Sequence, residues 1–220
     1  MPAHPALPDT LPLFPIRGCI LLPGEALPLN VFEPRYLNMV DDAMSGNGFL
    51  GIIQPRETGP REHPDLERVG TAGRIAKHTE TSDGRYLIVL VGVSRFTLTA
   101  QPRLKTPYRV GRADYVGFEH DIEGPPADEA GADRAGFLAL LQRFFQHAGI
   151  EADWSSMEHA PLSAITGKVA MAAPFDAACK QALLQASKPC VRRELLTSLM
   201  EGALEHASRG PSSGPAGRLH

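Results

Sequence analysis

The stretch LPLFPIRGCILLPGEALPLNVFEPRYLNMVDDAM, residues 11–44, passes from proline-broken strand runs to a helical pattern. Residues 11–16 and 26–32 are short apolar runs broken by prolines. A proline has no N–H to give to a ladder, so Leu11-Pro12-Leu13-Phe14-Pro15 suits an edge strand. At residue 34 the pattern changes. Pro34 fits the first position of a helix, where a missing donor is not needed. Tyr36, Leu37, Val40, Ala43 and Met44 follow at helical spacing, and Gly46 offers a stop. The spacing predicts one helix over residues 34–46, set among strands.

Further strand-like runs lie outward from this stretch, at 49–53, 69–78, 86–93, 96–101 and 108–118. Short runs bounded by Gly, Pro and Asp point to a compact β domain. Ser82-Asp83-Gly84-Arg85 separates two of them and suits a tight hairpin turn that needs positive φ. Residues 54–67 (QPRETGPREHPDLE) are polar and rich in Pro and charge, as expected of a long, exposed and mobile loop. Residues 119–132, with paired prolines and no apolar periodicity, read as a linker. After them the period becomes 3.6. Phe137, Leu141, Phe144 and Ala148 form one stripe, and Leu162, Ile165, Val169 and Ala172 a second. Residues 175–187 and 191–207 form two more helices, the last with Val191, Leu195, Leu199 and Ala203 in register, and Pro174 and Pro189 mark the breaks. The end of the chain is low in complexity and is expected to be disordered. The expected architecture is α+β: a mostly antiparallel β domain over 10–118 closed into a small barrel, a linker over 119–132, a bundle of about four helices over 133–207, and a tail over 208–220.

Composition narrows the function. The chain has 220 residues, 43% of them hydrophobic and 21% charged, as is usual for a globular protein with a real core. Residues 1–118 carry 13 Lys/Arg against 12 Asp/Glu, residues 119–133 none against 6, and residues 134–220 9 against 7. No segment has the basic excess that binding to a phosphate backbone requires. The three cysteines, Cys19, Cys179 and Cys190, are widely spaced with no CxxC, so reduced thiols are expected rather than a disulfide framework or a zinc site. The first residues have no signal-peptide pattern, and no apolar run reaches the roughly 20 residues of a membrane span. A cytoplasmic location is the expectation.

Motifs for catalysis, cofactors and metals fail on their spacing. Gly167-Lys168 lacks the upstream glycine of a phosphate-binding loop and sits in an apolar helix pattern. There is no GxSxG, and Ser163 and Lys168 lie five apart, which does not share a helix face. The eight histidines form no HExxH and no i, i+4 pair. Glu119-His120-Asp121 could attract a cation, but it falls in the linker. His78 on a strand and Asp41-Asp42 on the polar side of the first helix read as surface groups. Cys19 lies in a Pro/Gly-rich loop with no base placed beside it. No catalytic residue, cofactor or metal is expected.

Several blocks in a fixed order carry a resemblance: residues 11–15 (LPLFP), Leu22-Pro23-Gly24, Leu27-Pro28-Leu29, Phe32-Glu33-Pro34-Arg35-Tyr36, Gly70-Thr71-Ala72-Gly73-Arg74-Ile75, Asp83-Gly84-Arg85-Tyr86 and Gly92-Val93-Ser94-Arg95-Phe96. Their order and spacing resemble the N-terminal domain of Lon proteases over about residues 10–118, and the helical pattern to about Leu204 is similar to that family's trailing helical subdomain. The phosphate-binding loop of the family's ATPase module and the Ser/Lys pair of its peptidase module have no counterpart among these residues. The resemblance therefore implies a stand-alone, non-catalytic module on a PUA-like β-barrel that binds unfolded polypeptides, degrons or a protease partner. PUA-like folds also bind RNA, so an RNA- or nucleotide-binding module is the alternative, although the near-neutral β domain speaks against it. Pro15, Pro23, Gly24, Phe32, Glu33, Pro34, Arg35, Tyr36, Gly73, Gly92, Arg95 and Phe96 are the motif residues, and maintaining the fold is their first expected role. Phe32 lies four residues before Tyr36 and could anchor the start of the helix. Glu33 suits the positive end of its dipole. Arg35 could form a buried or half-buried pair with a carboxylate. Leu21, Leu22, Phe32 and Phe96 are the candidates for an apolar surface that meets a polypeptide.

Overall fold

A computed structural model describes residues 7–60, 62–123 and 131–208. Six strands form one sheet: β1 (Thr10–Pro15), β2 (Ala26–Val31), β3 (Phe49–Ile53), β4 (Val69–Glu80), β5 (Tyr86–Ala100) and β6 (Arg109–Asp114). Their order is β2-β5-β4-β3-β1-β6. β1 and β3 run parallel, and the other pairings are antiparallel. β6 pairs with β5 as well as with β1, so the run of pairings β5-β4-β3-β1-β6 returns to its start. Seven helices are described: α1 (Pro34–Ser45) between β2 and β3, then α2 (His120–Glu123), α3 (Arg134–Ala148), α4 (Trp154–His159), α5 (Leu162–Ala172), α6 (Ala177–Gln185) and α7 (Pro189–Ser208). The fold is α+β.

The apolar runs expected at 86–93 and 96–101 are one strand, β5. Its first half pairs with β2 and its second half with β6, while β4 runs along both. Val93 is the extra residue where the β4–β5 register shifts, since Ala72 pairs with Ser94 but Gly73 with Gly92. Such a bulge bends a strand and re-aims its side chains. β1 is not an edge strand. Residues 10–13 pair with β6 and 13–15 with β3, so Pro12 lies on the β6 side before pairing with β3 begins. The proline-bearing edge is β2, where Pro28 stands opposite Val89.

The helix after Pro34 is present, and its buried face is Tyr36, Met39, Val40 and Ala43, whereas Met44 is half exposed. Gly46 caps it without a left-handed φ, which falls instead to Gly48. In the 81–85 turn Gly84 has φ +79°, and Thr81 N–H donates to Arg85 C=O. Residues 54–67 are not simply an exposed loop. Gln54 and Leu66 are buried, and Glu67 N–H to Gln54 C=O and Arg56 N–H to Asp65 C=O close its base like a hairpin.

The linker reading fails at its start, because residues 120–123 form α2 and Asp121 reaches into the fold. Residues 124–130 and the expected tail from 209 lie outside the described residues. Five helices follow rather than about four. α4 is the one without a sequence stripe; it buries no residue and starts because the Asp153 side chain caps Ser155 N–H and Ser156 N–H. In α7 the buried line is Arg192, Leu196 and Met200, one residue later than the four-residue repeat suggested, and Val191 is exposed.

Three apolar clusters result. Leu11, Leu13, Phe49, Ile53, Ala72 and Phe96 form one among the strands. Phe14, Val31, Tyr36, Val40, Leu50 and Ile88 form a second between strands and α1. The third joins the helices. The loop before β2 links the last two: Leu21 enters the α1 cluster, while Ile20 and Leu22 enter the helical one. Gly92 makes this route possible, because a Cβ there would stand 2.2 Å from the Leu22 carbonyl oxygen. The Gly92 N–H and C=O bond Glu25 C=O and Gly24 N–H, and Gly24 takes φ +79° to make the turn.

Candidate functional site

Of the four candidates for an apolar recognition surface, three lie inside. Leu21, Leu22 and Phe96 are 0%, 1% and 0% exposed, whereas Phe32 is 61% exposed. An apolar loop flanked by Pro and Gly looks like a surface element in one dimension, but packing on both faces buries it. Phe32 does not anchor α1. Tyr36 is held instead by Phe14, with ring centroids 4.4 Å apart. Arg35 forms a half-exposed pair with Glu33, its Nε donating to Oε2 at 2.9 Å, and its guanidinium lies 4.6 Å from the Tyr36 ring centroid. Glu33 occupies the N-cap position of α1 without a side-chain cap bond, and its carboxylate is paired with Arg35 instead.

Phe32 belongs to a larger solvent-facing strip. Opposite residues of an antiparallel pair share a face. The pairs Ala26–Val91, Pro28–Val89 and Asn30–Leu87 therefore project together, away from the cluster that holds Ile88 and Leu90. Leu87 is 47% exposed, and Val89 and Val91 are half-buried. Beyond Val31, Phe32 lies with the Arg85 guanidinium 5.8 Å from its ring centroid. Both faces of the β2–β5 ribbon are thus apolar, although only one is covered by the core. Sequence alternation hid this, because Val89 and Val91 read as ordinary strand residues.

A second feature is a cleft of about 500 Å³ between the strands and the helices, walled by Leu22, Pro23, Ala164 and Gly167 and flanked by charge. Arg95 and Asp121 meet beneath it. The Asp121 carboxylate also accepts from the Arg95 backbone N–H at 2.9 Å, and Arg95 Nη1 donates to Leu184 C=O and Ala186 C=O at the end of α6. The Phe118 ring centroid lies 4.8 Å from the guanidinium. Arg192 donates from Nε to Leu183 C=O at 2.9 Å, so two guanidinium groups engage the negative end of α6. Burial, and then the neighbouring Arg95, push the Arg192 pKa down to about 10. Burial raises the Glu25 carboxyl, with Lys168 opposing it.

The other sequence candidates are placed as follows. Asp121 of the Glu119-His120-Asp121 triplet serves Arg95. Asp42 accepts a hydrogen bond from Tyr108. Exposed His78 meets Tyr86 edge-on. Burial pushes the Cys19 thiol pKa up, the opposite of activation. Among the described residues no group of three His, Cys, Asp or Glu side chains is placed to hold a metal, and no helix is long and apolar enough to cross a membrane.

Known proteins place this architecture. The structure is similar to an N-terminal domain protein of the Lon type from Xanthomonas campestris (TM-score 0.60, 24% identity, 86% of this chain and 97% of that one). It is also similar to the N-terminal domain of a Mycobacterium avium complex Lon protease (TM-score 0.64, 19% identity, 87% and 98%). At these identities the likeness establishes the fold. Curated relatives include Lon protease 2 of Syntrophobacter fumaroxidans, 31% identical over 67% of this chain, and a Lon protease of Parabacteroides distasonis, 34% identical over 41%. The chain spans only 18% and 11% of their lengths. The family model for the ATP-dependent protease La (LON) substrate-binding domain matches residues 10–202. The chain belongs to that family of Lon substrate-binding domains.

Proposed function

We propose that this chain is a non-catalytic module that recognises unfolded or loosely folded polypeptides, acting in the cytoplasm, with the closed strand pairing as a small PUA-like barrel and the helices after residue 133 as its bundle. The observation that carries the reading is the uncovered apolar strip of β2 and β5, with Leu87 and Phe32 at its exposed end. An exposed apolar strip on a sheet flanked by charge suits side-chain contact with a client. Backbone pairing at the β2 edge is disfavoured, because Pro28 removes a donor there. A few apolar contacts must offset the ordering of a flexible chain, so affinity should be roughly micromolar or weaker, raised where modules cluster. The family relationship supports a substrate-recognition role.

The test is a fluorescence titration of a reduced, unfolded polypeptide into the native protein and into Phe32→Ser/Leu87→Ser. Saturable binding lost in the variant supports the reading. Absence of binding by the native protein, with nuclease-sensitive capture of RNA, rejects it.

A further inference from the structure

The cleft between the strands and the helices is a second site, and its chemistry is specific. Asp121 is committed to Arg95, to both Nε and Nη2. Arg192 has no carboxylate in ion-pair contact among the described residues, and it is 8% exposed. Its Nε reaches Leu183 C=O and its Nη2 reaches Ala186 C=O at a long 3.5 Å, while Nη1 has no hydrogen-bond partner among the described residues. A buried guanidinium with spare donors, whose neighbouring carboxylate Asp121 is already bound to Arg95, favours an anion in the space beside it. Lys188, exposed at the same rim, adds a second cation. Two helix starts also meet this cleft. α5 begins after Pro161, which makes no side-chain cap bond, and α7 begins at Pro189. Amides in a first helical turn lack intrahelical acceptors and carry the positive end of the dipole.

We infer that this cleft takes the α-carboxylate of a polypeptide C-terminus, with Arg192 and Lys188 on the carboxylate and the last side chain against Pro23 and Ala164. The inference rests on the proposed recognition of polypeptides and adds a chain-end specificity at a different place from the β2–β5 strip. The charge fits one monovalent group. Arg95 is neutralised by Asp121, and Glu25 lies beside Lys168, which leaves Arg192 and the solvent-screened Lys188. A cleft of about 500 Å³ admits a residue or two of extended chain and no folded partner. The apolar wall suits a terminal side chain such as leucine, and a free inorganic anion would leave that wall unused.

The experiment uses the full chain and a fluorescein-labelled hexapeptide ending in leucine, prepared as the free acid and as the C-terminal amide. Anisotropy should show the acid binding at least about tenfold more tightly, as expected for charge-assisted hydrogen bonds. Lys188→Glu should bring the acid down to the amide's affinity, and Ala164→Trp should block both peptides, with thermal unfolding of the two variants unchanged. These are surface or rim positions, so the test does not depend on altering buried Arg192. Equal binding of acid and amide overturns the inference. So does an acid preference that survives Lys188→Glu and Ala164→Trp, or inorganic phosphate binding at the cleft with no discrimination between the peptides. The two readings fail separately. Loss of acid preference with unfolded polypeptide still held by the β2–β5 strip removes only the cleft inference, whereas acid preference intact in a native protein that captures no unfolded chain removes only the strip.

Discussion

Arg95 and Asp121 form a bidentate ion pair inside the protein: Nε donates to Oδ2 and Nη2 to Oδ1, each at 2.8 Å, with side chains 3% and 9% exposed. Arg95 Nη1 continues to the carbonyls that end α6, so one side chain joins β5, α2 and α6. Removing one member leaves the other charge buried without its ion-pair partner. Arg95→Met is expected to destabilise the fold by about 3–5 kcal/mol, read from urea unfolding. Arg95→Met/Asp121→Leu should recover part of that loss, since neither charge is then stranded. A double variant no more stable than the single one would show that the carbonyl contacts, and not the pair, carry the effect.

Arg95 shows where sequence reading stops. The GVSRF block marked it, but its partner lies 26 residues on, in a segment whose prolines and acids read as linker. Local composition reports the average for such a segment and says nothing about one carboxylate that tertiary packing recruits. Periodicity found the helices around Phe137–Ala148, Leu162–Ala172 and the last long one because an apolar stripe is a local signal. It missed α4, which has no stripe, and split β5, whose bulge at Val93 breaks the alternation. No local rule says which apolar residues a distant helix covers, so the sequence alone does not separate exposed Phe32 from buried Leu21, Leu22 and Phe96. The cleft was invisible for the same reason: Leu22, Ala164, Lys188 and Arg192 meet only in three dimensions.

Gln54 and Gln181 form a second joint between strands and helices. Gln54 Nε2 donates to Gln181 Oε1 and to Ala177 C=O, each at 3.0 Å, its Oε1 accepts from Gly18 N–H at 2.8 Å, and Gln181 Nε2 donates to Val69 C=O at 3.0 Å. Both side chains are buried, so a missing partner leaves a desolvated amide. Gln54→Ala is expected to lose about 1–3 kcal/mol. The loss should be accompanied by faster amide exchange at the start of α6, measured by mass spectrometry. Exchange changes confined to residues 54–67 would mean that Gln54 supports only its own hairpin.

Alkaline stability should depend on Tyr108. Its hydroxyl donates to Asp42 Oδ2 at 2.6 Å, and burial together with that carboxylate pushes its pKa up to about 12, above the ordinary value of 10.0. The unfolded chain loses this proton first. The contribution is therefore complete below about pH 10 and is lost as pH rises through about 12. Arg192 works in the opposite sense, because burial depresses its pKa to about 10 and stability from this group grows as pH passes that value. The useful comparison is thus between native protein and Tyr108→Phe at each pH. Their unfolding midpoints should differ at pH 8.5 and converge near pH 12, and a constant gap would remove the phenol–carboxylate bond as the cause.

Leu21, Leu22, Phe32 and Leu87 should separate stability from binding. Leu21 fills the cluster under α1 and Leu22 the helical cluster, both essentially without exposure, so Leu21→Ala and Leu22→Ala each open a cavity. Each is expected to lower stability by about 2–5 kcal/mol, with the spread set by how far neighbours collapse. Loss of polypeptide binding in either would then report unfolding. Phe32 and Leu87 are 61% and 47% exposed, so Phe32→Ser and Leu87→Ser should change stability by no more than roughly 0.5 kcal/mol. Their shared place beside Arg85 and Asn30 predicts that each weakens binding of an unfolded chain and that the double variant weakens it further. Thermal unfolding run beside the titration decides the matter. Phe32→Ser and Leu87→Ser that keep the native melting temperature and still bind like the native protein would move the recognition surface off the β2–β5 strip.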